Sequence, residues 1–384
     1  MTIPCQRHRF DIPDDVHYLN CAYMSPLADQ VSAAIAKGAA YKARPWTYTP
    51  DLFFSISEAF RERCARLVGA EARDMAIIPS ASYGLAVAAQ NLPLAKGQEV
   101  VTLEAQFPSN VYGWRTMAAR VGAKIVTARR SGGSWTDAVL GAIAPATGIV
   151  AVPHCHWVDG GALDLIAIGE ACRAVGAALV LDLTQSLGAM PFDLAAVQPD
   201  FMVAACYKWL LGPYGIGMMY VAPRWQDGRP IEENWMNRIG SENFARLTDY
   251  QDGYQPGARR YDMGEKSNPP LLMGASAALD LIDQWGAGNI ADTLGARTAT
   301  LAEAARLMGL TARDEPDRAA HFLSLGFPGG MPDDLPERLA ASRVFVSARG
   351  TSLRVTPHLW TTDEDAQRLI GVLRTCSQPV ASGT

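Results

Sequence analysis

Phe201-Met202-Val203-Ala204-Ala205-Cys206-Tyr207-Lys208-Trp209-Leu210-Leu211-Gly212-Pro213-Tyr214-Gly215-Ile216-Gly217 is the stretch from which the rest of the chain can be read. Residues 201–206 form an apolar run of strand length, and a loop rich in glycine and proline follows. Between them a lysine stands with aromatic residues on both sides. An unpaired ammonium in apolar surroundings is expensive. Such a lysine snorkels along its stem to water, pairs with an acid, or is kept for chemistry. In the last case desolvation lowers its pKa and makes it a Schiff-base former.

Working outward, short apolar runs alternate with helical patterns. Strands are expected at 76–79, 99–103, 124–127, 149–152, 178–182, 201–206 and 217–221. Helices are expected from the 80–84 turn to about 91, and at 109–120, 135–142 and 165–175. This alternation predicts an α/β fold, a mostly parallel sheet covered by helices on both faces. Before it, residues 1–27 read as an arm, followed by helices at 28–41 and 52–67. After it, residues 227–267 are polar and irregular, and 270–285 is a clear helix. The remainder, with helices at 290–308, 335–341 and 363–375 and strands at 322–325, 344–347 and 352–355, predicts a small α+β lobe. The domain reading is therefore an N-terminal arm (1–27), a large domain (28–268), and a linker helix with a small C-terminal domain (269–384).

Composition narrows the function classes. The 384 residues are 49% hydrophobic and 19% charged, as in an ordinary globular enzyme. A formal net charge of -5 with no basic stripe gives no footprint for nucleic acid. No apolar run reaches membrane-spanning length, and residues 1–15, polar and broken by prolines, do not read as a signal peptide. Seven scattered cysteines without a metal-binding spacing fit reduced thiols in a cytoplasmic protein. His154 and His156, two apart, would share a strand face, but no further ligand joins them and no metal is expected.

Parallel sheets bind ligands beyond the carboxyl ends of their strands, and chemistry-bearing residues collect there. Asp182 ends an apolar strand, where a carboxylate needs a cation nearby. One reading of Asp182 and Lys208 is a buried ion pair. The other is that both face one cofactor, pyridoxal 5'-phosphate (PLP), which needs an amine, an acid for its ring nitrogen, a donor for its phenolic oxygen, a flat wall and an anion site. Lys208 supplies the amine and Asp182 the acid. Gln185 can donate to the phenolic oxygen, and Phe107 can stack on the ring. Ser80, Ala81 and Ser82 place hydroxyls and free N–H groups at a helix start, which suits phosphate, and Tyr207 adds a hydroxyl.

With Tyr18-Leu19-Asn20, Asp182-Leu183-Thr184-Gln185-Ser186-Leu187-Gly188, Tyr207-Lys208-Trp209-Leu210 and Arg354-Val355-Thr356-Pro357, the chain resembles the class V aminotransferase family of fold-type I PLP enzymes over nearly its whole length. That family includes cysteine desulfurases, selenocysteine lyases, isopenicillin N epimerases and kynureninases. Phe107-Pro108-Ser109-Asn110-Val111-Tyr112, His156-Trp157-Val158-Asp159-Gly160 and Tyr207-Lys208 are similar to kynureninase in particular. The resemblance implies that Phe107 stacks on the cofactor ring and that Arg354 grips the substrate α-carboxylate. It also implies a homodimer with a shared site, in which the loop carrying Ser267 crosses to the neighbouring subunit and helps hold the phosphate. Arg259, Arg260 and Lys266 would favour an anion there.

Three departures bear on the reaction. Residues 342–353 contain no cysteine, where desulfurases carry a nucleophile. Asn110 stands where kynureninases have aspartate, and Trp157 where desulfurases have asparagine. The implied chemistry runs from an α-amino acid through an external aldimine to a Cα carbanion, with Lys208 as general base. The expected outcome is β-elimination of a sulfur-type leaving group from a cysteine-derived substrate. Transamination is the alternative, followed by kynureninase-like hydrolysis, epimerisation or racemisation, and a non-catalytic PLP-binding role.

Overall fold

Apolar strands alternating with amphipathic helices can bury both sheet faces only if helices cover each. The computed structural model, which describes residues 1–377, shows this arrangement. The chain begins with β1 (His17–Tyr18), α1 (Asp29–Ala43) and α2 (Leu52–Val68). It continues as β2 (Met75–Ile78), α3 (Ala81–Asn91), β3 (Glu99–Leu103), α4 (Ser109–Val121), β4 (Lys124–Ala128), α5 (Trp135–Ala142), β5 (Thr147–Pro153), α6 (Leu165–Val175), β6 (Ala178–Asp182), the short α7 (Leu194–Val197), β7 (Phe201–Ala205) and β8 (Gly217–Val221).

These strands form a seven-stranded sheet in the order β2-β8-β7-β6-β5-β3-β4. Only β8 runs against its neighbours. The lysine-bearing loop between β7 and β8 holds no crossover helix, so the chain returns antiparallel. Alternate residues of each strand serve different cores. Val150, Leu179 and Met202 pack with α2, α5 and α6 on one side, while Ile149, Val180 and Val203 pack with α3 and α4 on the other. Helix ends are locally encoded. Asp164 accepts from the Ile166 and Ala167 N–H groups to start α6, and Gly176 closes it in the left-handed region.

From residue 227 to α8 the chain makes only short 3-10 turns, at Trp235–Asn237, Phe244–Arg246 and Gly257–Tyr261. Asn268 then caps α8 (Pro269–Trp285), which lies against α1 and α2. The C-terminal part comprises α9 (Ala287–Leu307), β9 (Leu323–Gly326), α10 (Leu335–Ala341), β10 (Val344–Phe345), β11 (Ser347–Arg349), β12 (Ser352–Val355) and α11 (Asp363–Ser377). The single strand expected over 344–347 is two strands with different partners. β10 pairs with β1 of the N-terminal arm, and β11 pairs with β12. β12 is central in its three-stranded sheet, so Arg354 is on no edge. Among the described residues no helix is long and apolar enough to cross a membrane.

Candidate active site

β6 and β7 are hydrogen-bonded neighbours, so their carboxyl ends lie side by side. Asp182 is the last residue of β6, and Lys208 sits in the turn just past β7. That turn is tightly held. The Leu211 N–H donates to the Lys208 carbonyl at 3.0 Å, and the Gly212 N–H to Cys206 at 2.9 Å. Leu211 adopts a left-handed φ of 56°, a strain of the kind found where a side chain must be aimed. The loop after Asp182 closes over the turn through Gly188, where a Cβ would lie 2.6 Å from the Trp209 carbonyl oxygen.

A cavity of about 200 Å³ opens at these strand ends. Its lining brings together Ser80, Ala81, Ser82, Phe107, Asp182, Gln185, Tyr207 and Lys208, as expected from the sequence. Lys208 is 7% exposed. Burial lowers its pKa to about 8; Asp182 pulls it upward and the nearby Arg354 pushes it further down. Burial in turn raises the Asp182 carboxyl, against hydrogen bonding from Thr184 and attraction from Lys208. The Thr184 N–H donates to Asp182 Oδ1 at 3.0 Å. Yet the two opposite charges make no ion pair among the described salt bridges. They face one cavity without touching.

The walls fit a flat ring. Lys208 Nζ lies 5.6 Å from the Phe107 ring centre and 5.4 Å from that of Tyr207. Trp157 meets Phe107 edge to face at 5.3 Å, and its indole N–H is anchored on the Ala105 carbonyl at 2.7 Å. At the start of α3, Ser80 Oγ accepts from the Tyr83 N–H at 3.2 Å and lies 2.9 Å from Ser82 Oγ. The N–H groups of Ala81 and Ser82 have no preceding turn to bond, which suits an anion.

Gln185 is more constrained than its sequence position suggests. Its side-chain NH2 donates to Ala22 O at 3.1 Å, and its Oε1 accepts from the Trp209 indole at 3.0 Å. One N–H remains for a cavity ligand. His321 donates from Nε2 to the Gln185 carbonyl at 2.7 Å and packs on Trp209 with ring centres 4.2 Å apart. Sequence reasoning passed over Trp209 and His321 as supports, because both act through contacts distant in the chain.

Arg354 is 1% exposed and has no carboxylate partner among its described contacts. Nη1 donates to Trp157 O at 3.0 Å, Nη2 reaches Ser347 Oγ at 3.5 Å, and Nε has no partner. Burial lowers its pKa to about 10, with repulsion from Arg349 the next cause. A buried guanidinium with spare donors and no acid is suited to a carboxylate ligand.

Ser267 lies outside the cavity lining of its own chain, with Oγ 3.8 Å from Met236 Sδ. The cations expected to attract an anion there are already engaged. Arg259 binds Glu58, Arg260 binds Asp227 at 3.2 Å, and Lys266 binds Asp262 at 2.7 Å. His154 and His156 lie past the end of β5 rather than on a strand. His156 Nδ1 is 3.0 Å from Asp159, whose carboxyl is held well below the usual range against the effect of its burial, chiefly by that histidine. Among the described residues no group of three or more acidic, histidine or cysteine side chains is placed to hold a metal ion.

The sequence matches the family described as Aminotransferase class-V over residues 25–368. An uncharacterized aminotransferase, YcbU, of Bacillus subtilis (strain 168) is 28% identical over 363 residues, 90% of each chain. An isopenicillin N epimerase of Streptomyces clavuligerus is 25% identical over 333 residues, 82% of each chain. A kynureninase of Deinococcus radiodurans is 28% identical over 292 residues, 73% of this chain and 68% of that one. Among solved structures, a mutant of C-DES with glycine covalently linked to its PLP cofactor superposes with a TM-score of 0.87 over 96% of this chain and 99% of that one. C-DES with its product cysteine persulfide, described as a cystine C-S lyase, gives 0.85 over 94% and 98%. Both are 19% identical, a level that speaks for a shared fold.

Proposed function

The chain belongs to the class-V aminotransferase family, whose enzymes depend on PLP, and from that premise we propose that it is a lyase removing a sulfur-type leaving group from Cβ of a cysteine-derived amino acid. The observation that carries the site is that Lys208 and Asp182 face one cavity from neighbouring strand ends without neutralising each other. A group bearing an aldehyde and a basic ring nitrogen would meet both. When bound, PLP supplies that electrophile and an electron sink for the substrate Cα.

The residues divide the remaining work. Lys208 Nζ would hold the cofactor's aldehyde, and the same amine would take the proton from the substrate Cα. Its depressed pKa, about 8, keeps a useful neutral fraction near physiological pH. Asp182 would hold the proton on the ring nitrogen. Phe107 would cover the ring, and the α3 start with Tyr207 would receive the phosphate. Gln185, oriented by Trp209 and Ala22, would donate its remaining N–H to the phenolic oxygen. Arg354 takes the α-carboxylate through paired N–H donors.

Elimination is favoured over persulfide transfer to the protein. The hairpin region 342–353 has no cysteine. Cys155, which lines the cavity, is fully buried, and burial pushes its thiol well above the usual range. A thiol held protonated is a poor sulfur acceptor. Transamination is the second reading, favoured by the aminotransferase name of the Bacillus relative. Incubation of the purified enzyme with amino acids and cysteine S-conjugates separates them. Pyruvate and ammonia released together support elimination. A new amino acid formed from an added 2-oxo acid, without pyruvate release, would replace it with transamination.

The position of Ser267, at the entry to α8 and outside its own chain's cavity, supports a homodimer in which this loop serves the neighbouring subunit's phosphate site. PLP then binds the dimer better than the monomer and opposes dissociation. Sedimentation on dilution, with and without PLP, checks this; a fully active monomer with full PLP occupancy would remove the shared site.

A further inference from the structure

In the β11–β12 hairpin, Ser347 lies opposite Arg354 and Arg349 opposite Ser352. Opposed residues share a sheet face, and so do residues two apart on one strand. Arg349 and Arg354 therefore project from the same face. Both meet Trp157, a wall of the Lys208 cavity. Arg354 donates to its carbonyl at 3.0 Å, while the Arg349 guanidinium lies 5.7 Å from the centre of its indole. Arg349 donates through Nη1 to Ala348 O at 2.7 Å, and its buried Nε has no partner. Neither guanidinium has a carboxylate partner among the described contacts.

The charge of Arg349 is felt in the cavity. It lowers the pKa of Arg354 and that of Lys208. Gathering three cations at one site is unfavourable until anions arrive. A single α-carboxylate, taken by Arg354, answers one guanidinium and leaves the other. The indole face beside Arg349 favours a flat cation there, one able to present two parallel donors.

We propose that Arg349 is a specificity-determining residue that grips a second anionic group, carried at the end of the side chain of the α-amino acid substrate. The assignment rests on the reading of the cavity as an amino-acid site, and it adds the substrate class: cysteine-type amino acids whose sulfur substituent ends in a carboxylate, sulfinate or sulfonate. Arg354 and Arg349 then divide the substrate's two anions between them, with the Cα–Cβ bond held between the clamps and Lys208.

The test is a matched pair of ligands. S-carboxymethylcysteine and S-carbamoylmethylcysteine have nearly the same shape and differ in charge. Binding to the PLP-loaded enzyme is followed by the change in cofactor absorbance, which is independent of the reaction that follows. The wild type should prefer the charged ligand by about tenfold to a hundredfold, the range for charge-assisted hydrogen bonds. Arg349→Gln should bring that ratio close to one, and Arg349→Lys should leave it in between. A wild-type ratio near one, or a ratio unchanged in Arg349→Gln, overturns the assignment. So does an equal loss for both ligands, which would mean that Arg349 serves the shared α-carboxylate. Absence of any response to either ligand, or to simple amino acids, overturns the amino-acid reading of the cavity and Arg349's role with it.

Discussion

Among the described residues two lysines are buried, and their surroundings are opposite. Lys266, 2% exposed, lies 2.7 Å from Asp262. Asp262 also accepts two bonds from Arg61, at 3.1 and 2.7 Å, and one from the Ile77 N–H at 2.8 Å. Burial alone would raise the Asp262 carboxyl, but Arg61 and Lys266 together hold it below the usual range. Every charge in that cluster is answered within the chain. Lys208, 7% exposed, has its acid across a cavity and two arginines as further neighbours. A buried cation fully answered by the chain holds segments together. One left unanswered is held ready for a ligand, and the folded chain bears the desolvation cost.

The comparison breaks most easily at Lys208. Lys208→Ala should lower turnover by about 10⁴-fold, the upper range for loss of a positioned base, and abolish the visible absorbance of the PLP-loaded enzyme. The melting temperature of the apoenzyme should not fall, because an unpaired buried cation has been removed. A comparable loss of turnover in a folded Lys266→Ala enzyme would erase the distinction between the two lysines.

Stability should respond on the other side. Asp262→Ala strands Lys266 without an anion in a buried site and leaves Arg61 only the partly exposed Glu58, with an expected loss of about 3–5 kcal/mol. Denaturant unfolding measures it. A loss below about 1 kcal/mol, the level of exposed pairs, would show that water reaches the cluster.

The smallest effect is in pH. Capture of PLP by the apoenzyme requires neutral Lys208. Its folded pKa is lowered to about 8 from the usual 10.5. The capture rate should therefore rise about tenfold per pH unit below 8 and level off above it. The same shift means that between about pH 8 and 10.5 the unfolded chain binds the extra proton, so this group's contribution to stability rises with pH across that window. A capture rate still climbing tenfold per unit past pH 9 would show an ordinary, solvated lysine.

The residues around Lys208 were legible because each sits at the end of an apolar run, and periodicity is a property of neighbours in sequence. The strands Glu99–Leu103, Ala178–Asp182 and Gly217–Val221, and the helices Trp135–Ala142 and Leu165–Val175, lie where the pattern alone places them. In an alternating α/β chain the strand ends gather on one edge, so Lys208, Asp182, Gln185 and Phe107 could be brought together on paper. Pairing between distant segments was not legible. Nothing near residue 344 shows that Val344 pairs with His17 while Ser347 pairs with Arg354. Nothing near residue 266 shows that Asp262, four residues before Lys266, is also gripped by Arg61 from α2. Arg349, five residues before Arg354, gains its place beside Trp157 only through the hairpin register and the docking of the C-terminal segment on the loop after β5. Local sequence determines which residues form strands and helices. Which charges are left unanswered depends on partners far away in the chain, and only the tertiary structure decides that.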